Sequence, residues 1–398
     1  MSQDQAELPL FPFARTLGDL ASPPGGRLEV PVSRVRLPTG RTAWLVTRHA
    51  DVRQMLRSEA FSSDMTSPGF PLMVNAGASA PAPGFFLTMD PPDHTRFRQL
   101  LTPEFMLRHM RRLEPLILET VTSTLDAMRD SGPPADLVTS FSLPVPSMVI
   151  CHLLGVPYAD HDFFQKRSQA FMSGATTRED RMAAIQELRA YLAHLVGEKK
   201  RVGSADDLLG RLAVTTGNGG LTADELAGTA FLLLTAGHET TAHMIGLGTL
   251  TLLEHPQQYA ALRANPGIAA DTVEELLRYL TIIHFGALRV ARADVEIGGQ
   301  AIRAGDGAIA LLSAANHDAS VYSRPDAFDV QRGAQQHLAF GFGIHQCIGQ
   351  PLARIELRVA LTELARRFPN LALAVPADQL TMRSHSIAFG PEHLPVMW

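Results

Sequence analysis

Cysteine is nearly absent: the 398-residue chain carries two, Cys151 and Cys347, far apart in sequence. That spacing excludes a disulfide framework and makes a reducing compartment the simpler setting. Charge is also sparse, at 19% of residues against about 25% in an average domain. With 45% apolar residues, the chain has the material for a large core, and global disorder is excluded. A basic excess is missing: 35 Lys and Arg face 40 Asp and Glu, a net charge of -5, so nothing favours nucleic acid as a partner. Long apolar runs are missing too. None reaches the ~18–20 residues that span a bilayer; the longest, around Phe231–Ala236, runs into His238 and Glu239. The start, MSQDQAEL, has neither the basic beginning nor the apolar centre of a signal peptide. A cytoplasmic protein with no membrane partner is the expectation.

What is present reads as mostly helix. Residues 1–40 are rich in Pro and Gly and are expected to wrap over the surface. Arg41–Thr47 alternates as a strand does, and His49–Arg57 reads as a short helix. Residues 66–84 are small residues and Pro, the composition of a long loop, and such loops inside compact domains are usually lids or binding loops. From 93 to 210 helical pieces follow, broken at Pro144, Pro146, Pro157 and 173–177, with Thr176 and Glu179 spaced as a capping box. The clearest helix starts after Gly220, capped by Thr222 and Glu225, and runs to Glu254 before Pro256. A second carries residues 271–280. Val290–Ile309 reads as short strands around a Gly298-Gly299 turn, 318–336 as irregular chain, and a last helix follows Pro351.

The stretch FGFGIHQCIGQ at 340–350 stands out. Gly341, Gly343 and Gly349 permit backbone conformations and close approaches that a side chain blocks. The helix that follows turns its positive end toward Cys347. By itself the stretch is either a loop holding a thiolate against a flat macrocycle or a Gly-rich turn around a buried structural cysteine. Cys151, inside the apolar run MVICHLLGV, reads as core. Phe340, Gly341, Gly343, His345, Cys347 and Gly349 resemble the haem-binding signature of the cytochrome P-450 family at every defining position.

The resemblance extends over almost the whole chain, from the strand near Trp44 to the final LPVMW, and residues 135–164 look like an actinobacterial group that oxidises macrolides, polyenes, sterol-like compounds and xenobiotics. It implies that Cys347 ligates the iron of haem b. Ala236-Gly237-His238-Glu239-Thr240-Thr241 is similar to the family's acid–alcohol segment, so Glu239 and Thr240 would manage proton delivery and Gly237 would permit a local opening of the helix. Glu275 and Arg278, three apart on one helix face, would join Arg332 in a structural triad. DPPDHTRFR supplies His94 and Arg98, which with Arg289 and His345 would meet the haem propionates; Ala236, Gly237 and Ala353 complete the implied haem contacts. Arg354 and Arg358, with Arg108, Arg111 and Arg112, would form a basic face for an acidic ferredoxin.

The fold implied is mainly α with a minor β region, the family's helix-rich triangular prism, as a single catalytic domain over 1–398. The reaction implied is monooxygenation of a hydrophobic small molecule, with electrons from NAD(P)H through ferredoxin reductase and ferredoxin. A macrolide- or polyene-like product of secondary metabolism, as in antibiotic biosynthesis, is the expected substrate. The 66–86 loop, 163–185, 282–287 and the turn near Ile387 would line the pocket, with Phe85, Phe86, Phe171, Leu233, Phe285 and Ile387 as contacts and Phe70 available. A peroxide-driven peroxygenase and a non-catalytic haem-based ligand sensor are the competing readings; the Glu239-Thr240 pair argues against the first.

Overall fold

The structure, a computed structural model, describes residues 8–16, 18, 30–73, 82–173, 175–203, 206–214 and 219–398. Among these, helices α1 (His49–Arg57), α2 (Asp93–Leu101), α3 (Leu107–Met110), α4 (Glu114–Ser131), α5 (Pro144–Leu154), α6 (His161–Met172), α7 (Arg178–Val202), α8 (Leu208–Val214), α9 (Ala223–Glu254), α10 (Pro256–Ala264), α11 (Ala269–Leu280), α12 (Leu312–Ala315) and α13 (Gln350–Arg367) follow one another. The strands are β1 (Val32–Arg36), β2 (Thr42–Val46), β3 (Phe61–Ser62), β4 (Ala135–Asp136), β5 (Ala287–Ala291), β6 (Val295–Ile297), β7 (Gln300–Ile302), β8 (Gly307–Ala310), β9 (Ala372–Leu373) and β10 (Pro395–Met397).

Helix α9 is the axis of the molecule. Its sequence is apolar on all sides, which only a central position satisfies. Leu226–Thr235 and Thr241–Leu252 are buried throughout. The expected capping box is present: Glu225 N–H donates to Thr222 Oγ1 at 3.2 Å and Thr222 N–H to Glu225 Oε2 at 2.8 Å. At its far end Pro256 opens α10 in the first helical turn. Helices α5, α7 and α13 pack against α9, and α4 packs on α5 and α13, in one large apolar cluster.

The strands of the main sheet lie in the order β1-β2-β8-β5-β3. Only β2 and β8 run parallel, with Trp44 opposite Ala308; the other neighbours are antiparallel. Gly298 and Gly299 take φ of 56° and 79°, the left-handed pair that a tight β6–β7 hairpin demands.

Three expectations change. Residues 1–40 do more than wrap the surface: Val32–Arg36 is a sheet strand paired with β2, Phe11 is buried, and Arg15 is buried with its guanidinium on the carbonyls of Leu280 and Thr281. Two arginines masked the strand pattern; Arg34 covers the Trp44 ring at 4.9 Å instead of facing water alone. The cap of α7 is Thr177, which accepts from Asp180 N–H at 3.1 Å, the predicted spacing displaced by one residue. Pro146 breaks nothing, because α5 begins at Pro144 and its first turn has no N–H to lose. The loop at 66–84 has no helix in its described parts; 74–81 lie outside the described residues.

Candidate active site

The cysteine loop sits between α12 and α13. Gly341 and Gly343 have φ of 70° and 76°, where a side chain is strained, and a Cβ on Gly343 would fall 2.3 Å from the Leu56 carbonyl oxygen. Gly349 differs. Its φ is -79°, and its contribution is a backbone N–H that, with that of Gln350, is directed to the Cys347 sulfur. Cys347 N–H donates to the Phe340 carbonyl at 2.9 Å, closing the loop. Burial pushes the thiol pKa up; the N–H groups of Gly349 and Gln350 and the charges of Arg98 and Arg354 oppose it. Cys151, by contrast, is fully enclosed in the core, its thiol pushed up to about 12 by burial.

Four nitrogen-bearing side chains meet beside this loop. The rings of His94 (α2) and His345 lie 4.0 Å apart. Arg98, one turn after His94, donates to the Gln346 carbonyl at 2.8 Å, and Arg289 comes in on β5. Burial, then Arg98 and Arg289, lower the His94 pKa to about 4; burial alone accounts for most of the fall of Arg289 to about 10. Both ring nitrogens of His94 are buried without a hydrogen-bond partner. Leaving such groups unpaired is costly. Two arginine cations that repel each other, beside a buried imidazole with no hydrogen-bond partner, form a receptor for anions, and the two propionates of haem fit it. Sequence reasoning missed Ser63, whose Oγ lies 2.9 Å from His345 Nε2, and Asp90, which accepts from Ser63 N–H at 2.9 Å. Asp90 opens the same DPPDH run, which was the available signal.

On α9, Ala236, Gly237 and Thr240 retain accessible surface while the residues on either side are buried. This window is one turn long, and Thr240 Oγ1 donates to the Ala236 carbonyl at 2.7 Å. Gly237 does not open the helix, which is continuous. A Cβ there would meet Ile150 Cδ1 at 2.9 Å, so glycine serves the close approach of α5. Glu239 is turned away from the window; it lies 3.7 Å from His238 Nε2 and lines a cavity of about 130 Å³ with His243, Gln165, Lys166 and Arg383.

Glu275, Arg278 and Arg332 come together in a buried cluster, Arg278 donating to both Glu275 oxygens at 2.7 and 2.8 Å and Arg332 at 3.0 Å. The expected basic face is partly cancelled. Arg354 is bound to Glu274 at 2.6 Å and Arg358 to Glu114 at 2.5 Å. Arg108, Arg111 and Arg112 are exposed and, among the described residues, pair with no carboxylate. Of the expected pocket contacts, Phe85 and Phe171 stand 6.4 Å apart and both meet Phe231, which sequence reasoning missed. Phe171 ends α6 near the Ile387 turn, where Ile387 N–H donates to the Met172 carbonyl and its own carbonyl accepts from His284 N–H. Phe285 adjoins His284, and Leu233 is buried on α9. Phe86 is buried and stacked on Phe97 at 6.0 Å. Phe70 is buried as well, while Ala353 stands half-buried on α13.

A glycine-shaped cysteine loop, an anion receptor beside it and an accessible window in the central helix define a thiolate-ligand haem protein. A cytochrome P450 family model matches residues 31–266 and 268–392, and the chain belongs to that family. A vitamin D3 dihydroxylase of Streptomyces griseolus is 46% identical over 369 residues, 92% of this chain and 91% of the relative. A 20-oxo-5-O-mycaminosyltylactone 23-monooxygenase of Streptomyces fradiae is 42% identical over 98% of this chain and 92% of its own length. The crystal structure of CYP105P1 in complex with filipin I matches with a TM-score of 0.93 at 41% identity, covering 98% of this chain and 99% of that one. The chain is thus a helix-rich P450 of this actinobacterial group, an oxidoreductase that incorporates oxygen, and the family implies haem b. No helix among the described residues is long and apolar enough to cross a membrane.

Proposed function

We propose that this monooxygenase inserts one oxygen atom into a bulky, largely apolar natural product of macrolide or polyene type, in secondary metabolism such as antibiotic biosynthesis. The carrying observation is the three-ring cluster Phe85, Phe171 and Phe231, one turn before the accessible window of α9. Such a wall rewards a large apolar surface and offers few polar groups to a small hydrophilic one. Relatives named for a tylactone derivative and bound to filipin support the same class.

Cys347 would hold the iron, and His94, Arg98, Arg289 and His345 the propionates. Bound there, haem supplies the oxygen-activating chemistry, which thiolate ligation favours. Thr240 would present its hydroxyl at the window, and Glu239, on the cavity side, would pass protons inward. Electrons come from NAD(P)H through ferredoxin reductase and ferredoxin; the exposed Arg108, Arg111 and Arg112, beside exposed Met106 and Leu107, suit an acidic partner. Residues 1–398 act as one catalytic unit in the cytoplasm.

The test has two parts. The reduced protein under carbon monoxide should show the thiolate-haem band, and Cys347→Ala should abolish it with the far-UV circular dichroism retained. Titration of the ferric protein with macrolides and polyenes should then produce the spectral change of displaced iron-bound water. No response from either compound class, against a clear response to small polar compounds, would overturn the substrate reading.

A further inference from the structure

Helix α11 carries two adjacent carboxylates with separate uses. Glu275 serves Arg278 and Arg332. Glu274, also buried, turns to the other side and grips the cysteine loop at both ends. Ahead of the loop, His337 Nε2 lies 3.1 Å from Glu274 Oε2. His337 Nδ1 accepts from Ala339 N–H at 3.2 Å, so Nε2 carries the proton and donates it to the carboxylate. Behind the loop, Arg354 on α13 reaches the same carboxylate from Nε at 2.6 Å and Nη2 at 3.0 Å, and Gln350 from Nη1 at 2.9 Å. The Arg354 guanidinium lies over the Phe340 ring at 4.7 Å, and the Phe340 carbonyl accepts from Cys347 N–H. Arg354 is also one of the cations that act on the sulfur.

From this geometry we infer that Glu274 is a positioning residue for the sulfur ligand: through His337 and Arg354 it fixes the loop that carries Cys347 and sets how much of the Arg354 charge the thiolate feels. Partners of this kind orient a ligand and tune the metal it holds. The bidentate ion pair also withholds Arg354 from any docking acid.

The inference rests on Cys347 being the iron ligand, and the readouts separate the two claims. Three variants of the haem-loaded protein are compared by the midpoint potential of the iron and by the share of the thiolate band in the reduced carbon monoxide spectrum. Glu274→Gln keeps the shape and removes the negative charge, so the potential should rise and the band's share fall several-fold faster on standing. Arg354→Gln removes the positive charge, so the potential should move the opposite way. Glu274→Asp keeps the charge and should stay near wild type. Shifts of equal sign in the two charge variants would mean mere loosening of the loop and would overturn the inference, as would an unchanged potential in Glu274→Gln. If wild type lacks the thiolate band, the iron-ligand reading itself fails. Should Glu274→Gln not fold, Arg354→Gln and Glu274→Asp still decide: the inference stands only if the first lowers the potential and the second does not.

Discussion

Neutralising Glu275 should be among the most destabilising single substitutions in this protein. Its side chain is fully buried and accepts four hydrogen bonds, two from Arg278, one from Arg332 and one from Asp329 N–H at 3.0 Å. In Glu275→Gln the volume is kept, but an amide N–H must face a guanidinium, and two buried cations lose their one shared anion. Breaking such a pair costs about 3–5 kcal/mol. Both cations keep other acceptors: Arg278 donates to the carbonyls of Asn316 and Pro325, Arg332 to those of Ser323 and Ala327. Those dipoles still solvate the charges, which places the loss at the lower bound, about 3 kcal/mol, a large part of a typical total of roughly 5–15 kcal/mol. The assay is urea denaturation of the haem-loaded protein followed by far-UV circular dichroism, with the loss read as a fall in midpoint at constant slope. Asp294→Asn is the control, because Asp294 pairs with Arg303 where both are largely exposed, and it should change little. A Glu275→Gln midpoint indistinguishable from that control would show that the shared anion does not hold this cluster together.

Two further outcomes can be checked. His94→Phe and Arg289→Leu each remove a donor from the anion receptor; at about 1.5–3 kcal/mol for a charge-assisted hydrogen bond, each should weaken haem retention about 10–100-fold, measured as the rate of haem transfer to a myoglobin apoprotein, and unchanged rates would remove the residue from the propionate site. Burial opposes ionisation of Glu274, but the hydrogen bonds from His337 and Arg354 overcome it and hold its pKa at about 2. A depressed carboxylate stabilises the fold above its unfolded value of about 4.3, and the contribution, on the order of 3 kcal/mol, is lost as pH falls toward 2. Urea midpoints should therefore decline from about pH 5 downward, and a Glu274→Gln decline just as steep would show that this carboxylate is not responsible.

Sequence reasoning reached furthest where local spacing decides the outcome. The capping box at Thr222 and Glu225, the end of α9 before Pro256 and the Gly298-Gly299 turn depend on residues a few positions apart, and the structure has them as expected. It failed where a distant partner decides. Arg354 and Arg358 look like free cations until Glu274 and Glu114, 80 and 244 positions away, are brought to them. Strand β1 was hidden because its register comes from β2 and its arginines from packing on the sheet. Phe86 and Phe231 are both buried, and which rings they meet, Phe97 for the first and Phe85 and Phe171 for the second, has no local signal.

By itself the sequence determined the glycine-shaped setting of Cys347, because a loop folded this tightly needs glycines at Gly341 and Gly343, where the backbone is left-handed, and those offsets from the cysteine are legible in one dimension. It also determined that α9 is central, since a helix apolar on every face has no other place. Only the tertiary structure decided which charges remain free, where the window in α9 opens and how Glu274 reaches both ends of the cysteine loop. Those depend on groups from different elements meeting within about 3 Å, the range over which hydrogen bonds act, and chain distance carries no record of that.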